Sequence, residues 1–180
     1  FWLSNTNKKI ISENNLIDSL LHEVPSAWHN FDSILCEPIS VSNPKRMKMI
    51  KRGWKNILRD PKVLFKKEKH TIELHFDMHH GYGVLDKAIN VMNIKDRIDF
   101  KKFVSSSSTF NPHIMFITKK YFMNLWFEDL FSWLFDCEKI FGFSNLKGYD
   151  QQRLYAYLSE RYLSFWFKKY TKNKEWPWIF

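Results

Sequence analysis

Apolar positions recur at helical spacing over several stretches of this 180-residue chain, separated by short runs that read as strands. Leu16, Ile17, Leu20, Leu21 and Val24 follow a helical period over residues 12–24, with Ser12 placed to cap it. Phe31 to Val41 is short, apolar and punctuated by Pro38, which predicts a brief edge strand. Ser42-Asn43-Pro44 makes a turn or a helix entry. Residues 45–59 pattern as a basic amphipathic helix. Met47, Ile50, Trp54 and Ile57 or Leu58 form its apolar stripe, and Arg46, Lys48, Lys51, Arg52, Lys55 and Arg59 fill the other faces. Gly53 weakens this helix by about 1 kcal/mol, and Asp60-Pro61 ends it.

Residues 70–80 and 84–94 pattern as further helical or apolar stretches, divided by Gly81-Tyr82-Gly83. Ser105 to Thr109 is a polar loop, and Ile114 to Thr118, rich in β-branched residues, predicts a buried strand. A long helix is expected over 119–141. Its stripe is Met123, Phe127, Leu130, Leu134, Cys137 and Phe141, and Phe122, Trp126 and Trp133 widen that face enough to predict a largely buried helix. Gly142 to Gly148 connects it to a last helix that Asp150 caps and that runs to about Tyr170. The tail, 172–180, contains Pro177 and reads as irregular. No internal repeat is visible. These elements amount to one α+β domain over 1–180, mainly helical with a few short strands.

Composition sharpens this picture in two ways. Aromatic residues make up 18% of the chain, which excludes a disordered polymer and implies a dense core or large binding surfaces. The net charge of +9 is local: residues 45–69 hold 11 Lys or Arg against Asp60 and Glu68, and the remainder is balanced at 17 of each sign. Cys36 and Cys137 match no metal-ligand spacing and read as buried thiols in a reducing compartment. No apolar run reaches the roughly 20 residues that span a bilayer, and the start is too short for a signal peptide, so the chain reads as cytoplasmic. It begins with Phe, which suggests that it starts inside a longer translated sequence.

Three groups of residues invite chemistry. The basic segment has three readings: a solvated face packed on the domain, a helix lying on anionic lipid through Lys48, Lys51, Arg52, Trp54 and Lys55, or a polyanion site. No nucleic-acid motif supports the last, and no nucleic-acid partner is expected. His75, Asp77, His79 and His80 cluster, with His75 and His79 at i, i+4 as a metal would need, but no third ligand is identifiable. Polar surface residues, or a substrate-contacting pair, fit His79 and His80 better. Asp150, Arg153, Tyr157 and Glu160 share one helix face at spacings of +3, +4 and +3. A carboxylate there can take a proton from a hydroxyl, and an Arg can offset diphosphate charge. The structural alternative is an N-cap and intrahelical or interhelical ion pairs. No phosphate-binding Gly loop, nucleophile elbow, kinase signature or Asp-x-Asp pair is present.

Three blocks, in order, resemble a family of bacterial polysaccharide glycosyltransferases from capsule and O-antigen gene clusters, domains first catalogued as of unknown function. The blocks are His79-His80 before an apolar helix, Met115-Phe116-Ile117 before a helix with Trp133-Leu134-Phe135 and Glu138, and Gln151-Gln152-Arg153 with Leu158-Ser159-Glu160-Arg161. Asp32 to Leu35 matches more weakly, and the whole covers about 70–163. The resemblance implies a partial glycosyltransferase-A-like α/β domain, its acceptor-side half, with most of the nucleotide half lying upstream. It implies Asp150 or Glu160 as base or acceptor ligand, and Arg153 and Arg161 at phosphate or orienting the carboxylates. Gln151, Gln152, His79 and His80 would lie at substrate. The expected partners are a nucleotide sugar, a lipid-linked glycan and the inner-membrane surface, with a divalent cation such as Mn or Mg left open as cofactor. Two positions depart from the family: Ile114 stands where it usually has Asn, and Gly83-Val84 where an Asp-Leu pair follows the His block. A non-catalytic docking module descended from such an enzyme, and a polyanion binder, are the alternatives.

Overall fold

The computed structural model describes residues 1–4 and 16–179. Ser12 and the start of the first expected helix lie outside these residues. The part within them forms only a short helix, α1 (Leu16–Ser19), because Leu20 then bridges to Leu3.

A small sheet organises one side of the molecule. Strand β1 (Ser33–Cys36) is its centre, antiparallel to β4 (Phe116–Thr118) and parallel to β5 (Asn173–Trp176). Two expectations are corrected here. Residues 31–41 do not form an edge strand: all four β1 residues are buried, and Pro38 falls after them, before β2 (Ile39–Ser40). The tail is not irregular, because residues 173–176 supply the parallel partner that β1 needs on its second edge. Conversely, the expected buried strand at 114–118 is an edge strand, half-exposed, with Ile117 turned to solvent. A second ribbon pairs β2 with β3 (Thr109–Phe110).

Helices supply most of the core. They are α2 (Arg46–Arg52), α3 (Trp54–Arg59), α4 (Ile72–His80), α5 (Val84–Asn90), α6 (Ile94–Ser106), α7 (Lys120–Phe141), α8 (Tyr149–Gln152) and α9 (Leu154–Tyr170). Leu35, Phe76, Phe100, Trp126, Trp133 and Trp166 mark the main hydrophobic cluster, where α4 to α7, α9 and β1 meet. Helix α9 is its axis: residues 161–167 are all buried. Both cysteines are buried and free, and burial pushes each thiol up to about 12, which removes them as nucleophiles.

Helix α7 covers the expected residues but is not largely buried. Trp126, Leu130, Trp133 and Cys137 pack inward, while Phe127, Phe131 and Phe135 form an exposed, stacked row. Helix α6 had no counterpart in the sequence pattern. Ile94 and Ile98 make one apolar row that stays exposed, and Phe100 and Val104 make another that is buried, so the period is blurred. The expected polar loop shrinks to Ser107 and Ser108. The expected helix over 45–59 breaks at Gly53, whose Cβ position would meet Met49 O at 3.0 Å and Met78 Cγ at 3.3 Å. This close approach lets α4 lie against Met49.

Candidate functional site

Helix α4 carries His75, His79 and His80 beneath α9. Its end is set by Gly81 at φ 103° and Gly83 at φ 77°, conformations natural to glycine. The turn is tied to buried Asp77, whose Oδ1 accepts from the Gly83 N–H at 3.1 Å and whose Oδ2 accepts from Asn56 at 2.7 Å. Burial raises the Asp77 pKa from 3.8 to about 6, with the two hydrogen bonds opposing it. Folded Asp77 therefore holds its proton more tightly than the unfolded chain does. Its contribution to stability is full below pH 3.8 and is lost as pH rises through about 6. Asp77→Asn should flatten that part of the profile in urea titrations between about pH 4 and about pH 7.

Above α4 lies Arg161, fully buried. Its Nη1 donates to Glu160 Oε2 at 2.6 Å and its Nη2 to His75 Nδ1 at 3.1 Å. The guanidinium sits 3.8 Å from the Phe110 ring centre and 4.9 Å from that of Tyr157. Burial draws its pKa down to about 10, and Glu160 and Tyr157 resist this, so Arg161 stays cationic at neutral pH. Glu160 Oε1 accepts from the His113 N–H at 3.1 Å. This bond braces a strained turn, with His113 at φ 65° and Ile114 at φ 51°. For β-branched Ile114 that conformation costs about 1–3 kcal/mol. An Asn side chain adopts it more readily.

The partners settle the histidine tautomers. A guanidinium only donates, so His75 accepts at Nδ1 and carries its proton on Nε2. His79 donates from Nδ1 to the His75 carbonyl at 2.8 Å and accepts at Nε2 from Lys48 Nζ at 3.0 Å. Burial first, then the Arg161 charge, holds His75 and His80 at about 3, and burial lowers His79 as well. All three rings are neutral. His80 packs edge-on against Tyr157, 4.5 Å between ring centres, and neither of its ring nitrogens has a partner among the described residues.

Two clefts flank this cluster. One, of about 490 Å³, is lined by Ser40, Asn43, Lys45, Lys48 and His75 over an apolar base that includes Ile39, Val41 and Met78. The other, of about 300 Å³, has His80 and Gln151 among Val84, Phe141, Leu146 and Leu154.

Of the residues singled out from the sequence, the structure brings Lys48, His79, His80, Glu160 and Arg161 together around His75 and Tyr157. Asp150 does not cap a long helix. It lies inside the short α8, after Gly148, and the path turns at Arg153 before α9 begins. Asp150 instead pairs with Arg52 at 2.7 Å, and its Oδ1 has no partner among the described residues. Arg52 lies one turn from Lys48 on α2, about 6 Å along the axis, and the Asp150 charge acts on His79 and His80. This carboxylate therefore stands beside the histidine cluster, although it is not among the residues lining the larger cleft. Arg153 is exposed and bonds the Tyr149 hydroxyl at 2.6 Å. Gln151 caps the Lys147 N–H, and Gln152 is exposed. Sequence reasoning missed Lys45 as a cleft residue and His75 as the hub. The i, i+4 relation of His75 and His79 signalled their shared face, but in the fold it serves a hydrogen-bond chain. Among the described residues no group of three His, Cys, Asp or Glu could hold a metal ion.

Fold and site together define a mainly helical α+β domain in which buried Arg161 joins Glu160 to His75, and His75 lines a basic cleft. The chain belongs to the DUF4422 family, a domain of unknown function, whose family model matches residues 26–173. No curated protein and no solved structure matches the chain. No helix among the described residues is long and apolar enough to cross a membrane.

Proposed function

We propose that this is a glycosyltransferase domain, glycosyltransferase-A-like in part. It moves a sugar from a nucleotide donor to a lipid-linked surface-polysaccharide acceptor at the cytoplasmic side of the membrane. The observation that carries this reading is the larger cleft, lined by Lys45, Lys48 and His75, whose Nδ1 accepts from Arg161 so that its Nε2 carries the proton at neutral pH. Two ammonium groups and a fixed neutral donor suit a diphosphate. Ser40 and Asn43 suit sugar hydroxyls, and Ile39, Val41 and Met78 offer an apolar bed for a base or a sugar face. The cleft volume of about 490 Å³ lies within the usual range for small-molecule sites.

In the reaction, the acceptor hydroxyl oxygen bonds to the anomeric carbon of the donor. Its proton passes to Asp150 Oδ1, the carboxylate oxygen left open. The bond from the anomeric carbon to the diphosphate oxygen breaks, and the nucleoside diphosphate leaves with that electron pair. Lys45, Lys48 and His75 Nε2–H stabilise the charge that develops. Glu160 and Arg161 act through His75: they fix its tautomer and aim its ring, so they are positioning residues in this scheme. The His79 ring does the same for Lys48.

Calorimetric titration with uridine and guanosine diphosphate sugars tests the reading. Saturable binding is expected, weakened about tenfold by Lys45→Ala and by Lys48→Ala, the loss of one charge-assisted contact each. Absence of binding, or binding indifferent to both substitutions, overturns it. Binding without turnover of any donor on lipid-linked acceptors would point to a non-catalytic module.

A further inference from the structure

Helix α2 presents one face to the cleft and another to solvent. The solvent face holds the apolar stripe that its period predicts for the core. Met47, Ile50, Trp54 and Leu58 are 63%, 49%, 51% and 73% exposed, while Met49 and Gly53 take the buried positions. On an ideal helix at 100° per residue the four positions fall within an arc of about 80°. Although α2 and α3 are separate helices, Gly53 links them, its N–H donating to Met49 O at 2.7 Å and its carbonyl accepting from the Ile57 N–H at 3.0 Å. Phe65, 79% exposed, follows in the same segment. Lys51 and Lys55 flank the stripe, both exposed, and no ion pair engages either among the described residues.

We infer that this face docks the protein on an anionic phospholipid bilayer, with Trp54, Ile50, Met47 and Leu58 entering the headgroup boundary and Lys51 and Lys55 at the phosphates. Apolar side chains this exposed on a helix carrying excess positive charge fit an interface that is apolar inside and anionic outside. The charge complementarity selects this occupant over two others. A second copy of the chain would bring two segments, each with 11 basic and two acidic residues, against one another. A nucleic acid would match the lysines but leave the Met, Ile, Trp and Leu side chains in water. The surface does not depend on the transferase reading. It would, however, place the cleft-lining Lys45 and Lys48 of the same segment beside the membrane plane.

Co-sedimentation with phosphatidylcholine vesicles, with and without phosphatidylglycerol, tests the inference on the whole chain. Binding is expected only to the anionic vesicles, and to fall with added salt. The pair Lys51→Glu with Lys55→Glu should weaken it by at least about tenfold, and Trp54→Ser with Leu58→Ser by a similar factor. All four positions are exposed, so unchanged far-ultraviolet dichroism of the variants should accompany the loss. Brominated lipid should quench part of the tryptophan emission, and Trp54→Phe should remove that part. Equal binding to both vesicle types, no binding, or quenching unaltered in Trp54→Phe would overturn the inference. Salt-sensitive binding to duplex DNA but not to anionic vesicles would replace it with the polyanion reading.

Discussion

Asp150→Asn is expected to lower sugar transfer by about 10²- to 10⁴-fold, the usual contribution of a positioned general base. The amide still accepts from Arg52, whose contact to Oδ2 is 2.7 Å, so α2 and α8 stay joined. What is lost is the basicity of the open Oδ1. The loss should therefore fall on kcat, with donor binding by calorimetry unchanged. Glu160→Gln makes the informative comparison. Glu160 has both oxygens engaged, by Arg161 and by the His113 N–H, and neither is open to an acceptor. Its substitution should disturb His75 and lower both donor affinity and rate. If Asp150→Asn transfers normally while Glu160→Gln is silent with intact binding, the two carboxylates exchange roles.

The largest effect on stability is expected from Arg161→Ala. A fully buried guanidinium that pairs with Glu160, bonds His75 and stacks on Phe110 leaves Glu160 Oε2, His75 Nδ1 and the Phe110 ring without that contact when removed. The Glu160 side chain is itself 14% exposed, so its charge would stand nearly unsolvated. Breaking a buried pair from one side costs about 3–5 kcal/mol, and urea unfolding midpoints of the two proteins read it directly. Arg161→Lys keeps the charge but not the planar fork that reaches Glu160 and His75 together, so it should fall between. A loss under about 1 kcal/mol for Arg161→Ala would mean that the cluster is not what holds α9 to α4.

Strain and satisfaction are arranged around the same contact. The left-handed turn at His113 and Ile114 is held by Glu160, Glu160 is held by Arg161, and Arg161 orients His75 at the cleft. A backbone of this kind persists only where its surroundings over-determine it. The turn also precedes β4, so the site and the sheet edge are mechanically joined.

Much of this was legible in the chain itself. The helices carrying His75 and Glu160 announce themselves by period, the long helix at 120–141 by its seam, and the turn between α4 and α5 by its two glycines. The concentration of positive charge in 45–69 is a property of sequence alone. Tertiary structure decided the rest. The tail became a strand because β1, nearly the whole chain away, had an unpaired edge, and no local pattern encodes a partner that distant. The α6 boundaries were hidden by two competing apolar rows. Period also says that a helix has an apolar stripe but not which way the stripe turns. Over 46–59 the missing side chain of Gly53 let Met78 approach, so Met49 went inward and the more conspicuous stripe of Met47, Ile50, Trp54 and Leu58 went out. The site was split in the same way. Residue types at helical spacing marked Glu160, Arg161 and the histidines as unusual, but a hydrogen bond between His75 and Arg161 joins two helices. It exists only because packing of α4 under α9 buries the guanidinium and brings its Nη2 within 3.1 Å of His75 Nδ1.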